Sequence, residues 1–200
     1  SRIFLSTKGA LDERREYLML EWGINPVPDE PMPPIGTLGF RVQRYGLTNW
    51  GDLFNTRQQL ALITFTNAVR RAHAAMLVAG YEEGFARAVV TYLAVGIDEL
   101  ARFTSVLNPW KTDAEAIVHV FGRQALPMLW DYNENNPLGS HGGTWLNRTK
   151  EMLSVAENLS IGGNWQNHVR QSSATQLVLP DDYFDAVLTD PPYYDNVPYS

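Results

Sequence analysis

The chain has 200 residues, of which 44% are apolar and 19% charged, and a formal net charge of −6. That apolar fraction suffices for a globular core, no run of about 18 apolar residues predicts a membrane span, and no signal peptide is visible at the amino terminus. Cysteine is absent, which excludes disulfides and thiolate metal sites and favours a cytoplasmic location.

The first 45 residues predict a helix, a connector and a strand. A charged segment predicts a helix over Leu11–Trp22, and Pro26–Pro34 predicts a stiff extended connector or, alternatively, a ligand for a partner domain. Apolar and polar residues alternate over Phe40–Tyr45, which predicts a strand or one arm of a hairpin. Arg41 and Arg44 fall on opposite faces of that strand, as exposed arginines or, alternatively, as phosphate contacts.

Helical periodicity dominates the middle of the chain. Asn55 with Gln58, or Thr56 with Gln59, forms a capping box that opens a helix ending at Gly80. Apolar residues at steps of three and four predict three more helices, over residues 82–107, 112–127 and 145–159. Helices joined by short links usually pack antiparallel, so these segments predict a helical module.

The last forty residues predict part of a sheet. Val169–Leu179 predicts a strand, Asp181-Asp182 a turn, and the apolar run Phe184–Leu188 a short buried strand. A helix followed by strand, turn and strand is compatible with part of a doubly wound sheet. We therefore expect an α/β fold: an N-terminal helix and connector (residues 1–35), a helical module (36–160) and a partial Rossmann-like sheet (161–200).

A rigid corner follows the last predicted strand, at Asp190-Pro191-Pro192-Tyr193. Proline has no N–H and cannot extend a sheet ladder, and residues that precede proline are pushed toward extended geometry. The corner therefore offers a carboxylate and backbone carbonyls beside the flat ring of Tyr193. Hydrogen-bond acceptors next to an aromatic face suit a flat molecule that bears an amino group.

The same corner carries a family resemblance. Asp190-Pro191-Pro192-Tyr193 after a Phe-Asp-Ala-Val strand resembles the catalytic motif of amino-methyltransferases, which methylate the exocyclic amine of adenine or cytosine with S-adenosylmethionine. The run Thr189–Ser200 is similar to large, mostly uncharacterised adenine-specific DNA methylases with an N-terminal domain of unknown function. Further matching blocks are Gly39–Gly46, Trp50–Phe54, Arg57-Gln58, Met128–Tyr132 and Glu134–Pro137.

The resemblance implies roles for the corner residues. Hydrogen bonds from the amine to the Asp190 carboxylate and the Pro191 carbonyl would localise its lone pair and stabilise the positive charge that develops during methyl transfer. Tyr193 is expected to stack on a DNA base flipped out of the duplex, with Tyr194 also in the substrate site. Because the chain is acidic, any nucleic-acid surface is expected to be local or to lie on parts of the protein outside this sequence.

The resemblance also implies S-adenosylmethionine as cofactor, with Ser173, Ala174 and Asp190 near it. Two features depart from the family pattern. Serine stands at position 173, where such enzymes often carry an acidic residue, and neither Gly142-Gly143 nor Gly162-Gly163 follows an apolar strand as a cofactor-binding turn does. We therefore expect a piece of a longer methyltransferase chain that lacks part of the cofactor pocket.

The sequence also allows alternatives to a DNA methyltransferase. The same acceptors suit RNA or a protein glutamine amide, and the helical module alone suits a non-catalytic interaction or target-recognition role. Trp130 and Trp145 flank an Asn-rich loop and are expected in the core or, alternatively, in a substrate channel. The histidines have no partners at metal-ligand spacing and predict no metal site: His73, His119, His141 and His168.

Overall fold

The computed structural model describes residues 2–37, 39–122, 125–160, 171–173, 175–177 and 179–191. The chain divides into two compact units, Ser1–Glu157 and Asn158–Ser200. The predicted segments 1–35 and 36–160 thus lie almost entirely in the first unit. The elements are α1 (Arg2–Trp22), α2 (Thr56–Val78), α3 (Glu83–Arg102), β1 (Trp110–Lys111), β2 (Ala116–Ile117) and α4 (Trp145–Ser160), with 3-10 helices at Val42–Tyr45 and Trp50–Leu53.

The described residues are mostly helical, with one small antiparallel sheet made of β1 and β2. Helix α2 contacts both α1 and α3. The coarse expectation of a helical module is confirmed, whereas a Rossmann-like sheet is not. None of the described helices is long and apolar enough to cross a membrane.

Helix α2 begins and ends as its local sequence predicts. The Asn55 side chain accepts hydrogen bonds from the backbone N–H groups of Arg57 and Gln58, both at 3.0 Å. In return, Gln58 Oε1 accepts the Asn55 N–H at 2.8 Å, which completes the capping box. Past the other end, Gly80 has φ of +87°, a left-handed conformation that glycine adopts without a steric penalty.

Helix α3 ends at Arg102, earlier than the predicted Leu107, because a buried asparagine takes over its backbone groups. Asn108 is 1% exposed, and its Nδ2 donates to the carbonyls of Arg102 (2.7 Å) and Val118 (2.8 Å). Its Oδ1 accepts the Ser105 N–H. Once the Arg102 carbonyl is paired in this way, the chain turns and buries Leu107 in the core at 1% exposure.

The helix predicted over residues 112–127 is wrong. Trp110 and Ile117 pair across a short hairpin instead, and Glu115 in its turn has φ of +47°. The Thr112–Glu115 spacing that imitates a capping box lies in this turn, where the Glu115 N–H donates to the Thr112 carbonyl at 3.4 Å. The described residues that follow, 118–122 and 125–127, are not helical either.

The strand predicted over Phe40–Tyr45 is also wrong. Val42 and Gln43 are both buried, at 0% and 8% exposure, and two successive buried residues do not fit a strand with one solvated face. The chain coils into a 3-10 helix there, and only Phe40 keeps an isolated bridge, with Leu126.

The proline-rich connector is non-helical as predicted, but it packs against other segments of the first unit. Val27 and Met32 are buried at 7% and 6% exposure, and the Gly51 N–H donates to the Pro28 carbonyl at 2.9 Å. The connector therefore contributes to two small cores. One contains Met32, Phe40, Val42, Leu53, Leu107 and Leu126, and the other Leu11, Leu18, Val27 and Ile63.

The predicted C-terminal strands are not formed in their described parts. Residues 171–173, 175–177 and 179–191 contain no strand, and Phe184, Val187 and Leu188 are 52%, 66% and 96% exposed. A buried strand needs hydrogen-bonded neighbours and a covered face, and no described residue of the second unit supplies them. The prediction of a buried strand over Phe184–Leu188 is therefore wrong for this structure.

Candidate functional site

The sequence-predicted corner lies only partly within the described residues. Asp190 and Pro191 are exposed and lie outside helix and strand. Ser173 is exposed too, and its hydroxyl lies 2.9 Å from that of Thr175 in a local turn. Ala174, Pro192, Tyr193 and Tyr194 lie outside the described residues. The structure therefore places Asp190 and Pro191 at the surface, without assembling a site around them in the described part of the chain.

A second candidate site lies in the first unit, where the Asn-rich loop (Asp131–Pro137) meets the start of α2. Asp131 Oδ2 accepts the Trp110 N–H at 2.9 Å, and Asn133 Nδ2 donates to the Asn108 carbonyl at 3.1 Å. Asn135 Nδ2 donates to the Gly143 carbonyl at 2.9 Å. The loop is thus held by its side chains rather than by regular secondary structure.

Arg57 and Glu134 form the central contact between the loop and α2. The guanidinium donates through Nη2 to Oε2 at 2.6 Å and through Nε to Oε1 at 3.0 Å, a bidentate arrangement that fixes both planar groups. Asn55 Nδ2 adds a bond to Glu134 Oε1 at 2.9 Å.

The pKa of Glu134 is lowered, first by the hydrogen bond from Arg57 and less by that from Asn55, against the opposing effect of burial. The pKa of Arg57 is raised, chiefly by the same hydrogen bond. Both groups are therefore charged at neutral pH, and they neutralise each other.

A cleft of about 320 Å³ opens beside this pair, and we call it the polar cleft because most of its lining residues are polar, although most of its lining surface is apolar. Its lining residues are Arg57, Gln58, Ala61, Thr104, Glu134, Asn135, Asn136 and Pro137. The volume is at the lower end of the range for small-molecule sites. Helix α2, the Asn-rich loop and Thr104, two residues past the end of α3, each provide part of the wall.

Two of the lining residues, Gln58 and Thr104, each have a buried side-chain atom that makes no hydrogen bond, namely Gln58 Nε2 and Thr104 Oγ1. Gln58 is 2% exposed and Thr104 is 1% exposed. Because Gln58 Oε1 is held by the Asn55 N–H, its Nε2 is the donor left over. An unpaired buried donor or hydroxyl costs about 1–3 kcal/mol, so both groups lower the stability of the fold.

An apolar groove of about 410 Å³ adjoins the polar cleft and shares Arg57, Ala61 and Pro137 with it. Its apolar lining includes Leu60, Phe65 and Leu138. Arg57 therefore lines both the polar cleft and the apolar groove.

Other residues singled out from the sequence lie elsewhere. Arg41 and Arg44 are exposed and flank the two buried residues of the first 3-10 helix, which favours ordinary surface arginines. Trp130 is 73% exposed, with its ring edge-on to Tyr45 at 5.4 Å, so it is not a core residue. Trp145 is half-buried against Phe65, at 5.1 Å between ring centres. Within the described residues no cluster of metal ligands is present.

Comparison with protein-family models, curated proteins and solved structures found no match. The methylase family therefore remains a resemblance carried by the motif residues. Several cleft residues stand in sequence blocks that resemble the family, namely Arg57-Gln58 and Glu134–Pro137. The sequence alone does not indicate that these blocks form a cleft. Their meeting across 77 residues of chain is visible only in the fold.

Proposed function

We propose that this protein takes part in S-adenosylmethionine-dependent methylation of the exocyclic amino group of a DNA base, adenine by preference. The single observation that carries the proposal is the sequence Asp190-Pro191-Pro192-Tyr193 directly after an apolar segment. Further support comes from the exposure of Asp190 and Pro191, which is compatible with a site at the surface.

The proposed chemistry belongs to the amine-binding corner. A nucleobase amine is a weak nucleophile because its lone pair is delocalised into the ring. Hydrogen bonds to the Asp190 carboxylate and the Pro191 carbonyl would localise that lone pair and stabilise positive charge on the nitrogen. Asp190 would afterwards accept the proton, and Tyr193 would stack on the flipped base, an interaction worth about 1–3 kcal/mol.

The fit to the cofactor is incomplete in this chain. S-adenosylmethionine supplies a methyl group on a sulfonium leaving group. Of the residues expected near it, Ser173 is exposed in a local turn, and the described residues include no glycine-rich turn after a strand. The described residues therefore do not form a cofactor pocket by themselves, and the proposed roles are limited to holding the amine and its proton.

Methyl transfer to DNA by the full-length protein tests this function. We expect Asp190→Ala to lower the rate about 10²–10³-fold, the loss usual for removing one preorganised group. Asp185→Asn is the matched control, since Asp185 is an exposed aspartate in the same segment, and it should retain the wild-type rate. Competition with RNA and with a glutamine-containing peptide separates DNA from the alternative substrates, and a preference for either would reassign the enzyme.

A second candidate function, a non-catalytic recognition module, is favoured by the polar cleft in the helical unit. Such a module needs a built binding surface and no cofactor. Isothermal titration of this chain with S-adenosylmethionine distinguishes the two. Heat of binding supports the enzyme, and its absence supports either the module or a methyltransferase piece without a complete cofactor pocket.

A further inference from the structure

We propose that this chain self-associates through one face of α3, so that two copies pair their α3 helices antiparallel about a two-fold axis. The face consists of Phe85, Ala88, Tyr92 and Val95, and we call it the α3 seam. It belongs to the first unit, and the inference does not depend on methyl transfer.

The α3 seam is apolar and open. Phe85, Tyr92 and Val95 are 53%, 49% and 48% exposed, and Ala88 is exposed as well. The four residues follow one another at steps of three, four and three, which places them on one side of the helix. Tyr81 extends the surface beyond the start of α3, since its ring stacks on Phe85 at 5.8 Å. A contiguous row of exposed apolar side chains marks an interaction surface.

Helix α3 uses its other apolar sides within the fold. Ala86 and Leu100 are buried, and α2 packs along the helix. A Cβ atom on Gly96 would lie 2.7 Å from the end of the Met152 side chain, so α4 covers the side of α3 next to the seam. Among the described residues, none covers the α3 seam to the same extent.

The sizes of the seam residues fit a second copy that runs in the opposite direction. Their spacing is that of the a and d positions in a two-stranded coiled coil. In an antiparallel pair Phe85 lies opposite the partner's Val95, and Ala88 opposite the partner's Tyr92, and the two-fold axis repeats each contact. Every layer then combines one large and one small side chain, which fills the space evenly. A parallel pair would place the two Tyr92 rings together and leave a gap between the two Ala88 methyl groups.

The charges beside the seam favour the same arrangement. Arg87 and Asp98 are both exposed, and they lie about three turns apart on the same flank of the helix. Neither is in a salt bridge within the described part of the chain. In an antiparallel pair this flank faces the same flank of the partner, and the Arg87 end of one helix lies toward the Asp98 end of the other. The seam residues themselves are uncharged, so pairing buries no charge without a partner.

Sedimentation equilibrium measures the association of the 200-residue chain. We expect an apparent mass that rises toward twice the monomer value between about 5 µM and about 500 µM, as for a small interface. A chain that stays monomeric over this range overturns the proposal, whether its seam is open or is covered by another segment.

Tyr92→Glu tests the seam itself. A carboxylate in this layer would be buried against the partner's Ala88 without a partner charge, so we expect the dissociation constant to rise at least about tenfold. Leu20→Glu is the matched control, since Leu20 is an 84% exposed apolar residue on α1. Circular dichroism establishes that both variants are folded. Equal effects of the two substitutions, or an unchanged constant in a folded Tyr92→Glu, contradict the seam.

A single introduced thiol tests the direction of the pair, because the chain contains no cysteine. Thr91 lies beside the middle of the seam, so in an antiparallel pair the two Thr91→Cys thiols approach each other near the two-fold axis. In a parallel pair they lie on opposite sides of the interface. Thr64→Cys on α2 is the matched control, since each of these exposed threonines bonds to the carbonyl four residues earlier. We expect mild oxidation to link Thr91→Cys into a covalent dimer, and equal yields from both variants would refute the arrangement.

Discussion

The Arg57 guanidinium lies 2.6 Å from the Glu134 carboxylate, although 77 residues separate the two in sequence. This pair joins the first turn of α2 to the Asn-rich loop and forms one side of the polar cleft. Asn55, which caps the same helix, donates to the same carboxylate. The capping of α2 and the position of the loop are therefore coupled.

The first prediction concerns pH. The pKa of Glu134 is lowered in the fold, mainly by Arg57, so its carboxylate stabilises the native state. That contribution is fully present above the ordinary carboxyl pKa of about 4.3. It is lost as the pH falls through the lowered native value. We expect Glu134→Gln to lower the melting temperature at pH 7.

The same variant should converge on the wild type in acid. Melting curves between pH 7 and pH 3 measure this difference, and Glu151→Gln, which removes a surface pairing with Arg148, is the control for loss of one carboxylate. If Glu134→Gln lowers the melting temperature by the same amount at pH 7 and at pH 3, the charge of Glu134 does not contribute to stability.

The second prediction compares how the hydroxyls of Thr104 and Ser105 contribute to the free energy of unfolding. Thr104 Oγ1 is buried without a partner, so Thr104→Val should raise the free energy of unfolding by about 1 kcal/mol. Ser105 Oγ donates to the Leu53 carbonyl and accepts the Leu107 N–H. Ser105→Ala should therefore lower it by about 1–3 kcal/mol. Urea denaturation gives both values. A loss of stability in Thr104→Val would mean that its hydroxyl has a structural partner.

The third prediction concerns a close approach of backbones. A Cβ atom on Gly51 would lie 2.4 Å from the Pro28 carbonyl oxygen and 2.9 Å from a Val27 methyl. Neither neighbour is the free end of a flexible side chain, so Gly51→Ala should destabilise the fold by about 1–3 kcal/mol. It should also release the proline-rich segment.

Gly9→Ala is the control for the glycine substitution. Gly9 lies on the exposed side of α1 with nothing within 4 Å of an added Cβ. Alanine there should stabilise the helix by up to about 1 kcal/mol. Thermal unfolding monitored by circular dichroism measures both, and equal effects of the two substitutions would refute the packing of Pro28 on Gly51.

Much of the helical unit follows from local signals, and its exceptions have long-range causes. The Asn55–Gln58 capping box predicts the start of α2 because all its bonds lie within one turn. The end of α3 depends on Asn108, whose partners include the Val118 carbonyl. The spacing of apolar residues along the sequence does not predict that hydrogen bond. The spacing of Thr112 and Glu115 imitates a helix start where the chain forms a hairpin.

The candidate cleft could be predicted only in part, for the same physical reason. Arg57 and Glu134 both stand in sequence blocks that resemble the methylase family, but a salt bridge across 77 residues needs the tertiary fold. Gln58 was recognised as a capping residue. Its place in the lining of the cleft depends on what packs around it. The corner at Asp190 shows the reverse case, a strong chemical motif without a sheet around it in the described residues.

The most direct measurement is the identification of the methylated nucleoside. DNA incubated with the full-length protein and isotopically labelled S-adenosylmethionine is digested to nucleosides and analysed by mass spectrometry. We expect the label on the exocyclic nitrogen of adenine, and its loss in Asp190→Ala but not in Asp185→Asn. Label on a ring carbon, or equal labelling by wild type and Asp190→Ala, would contradict an amine held by the Asp190 carboxylate.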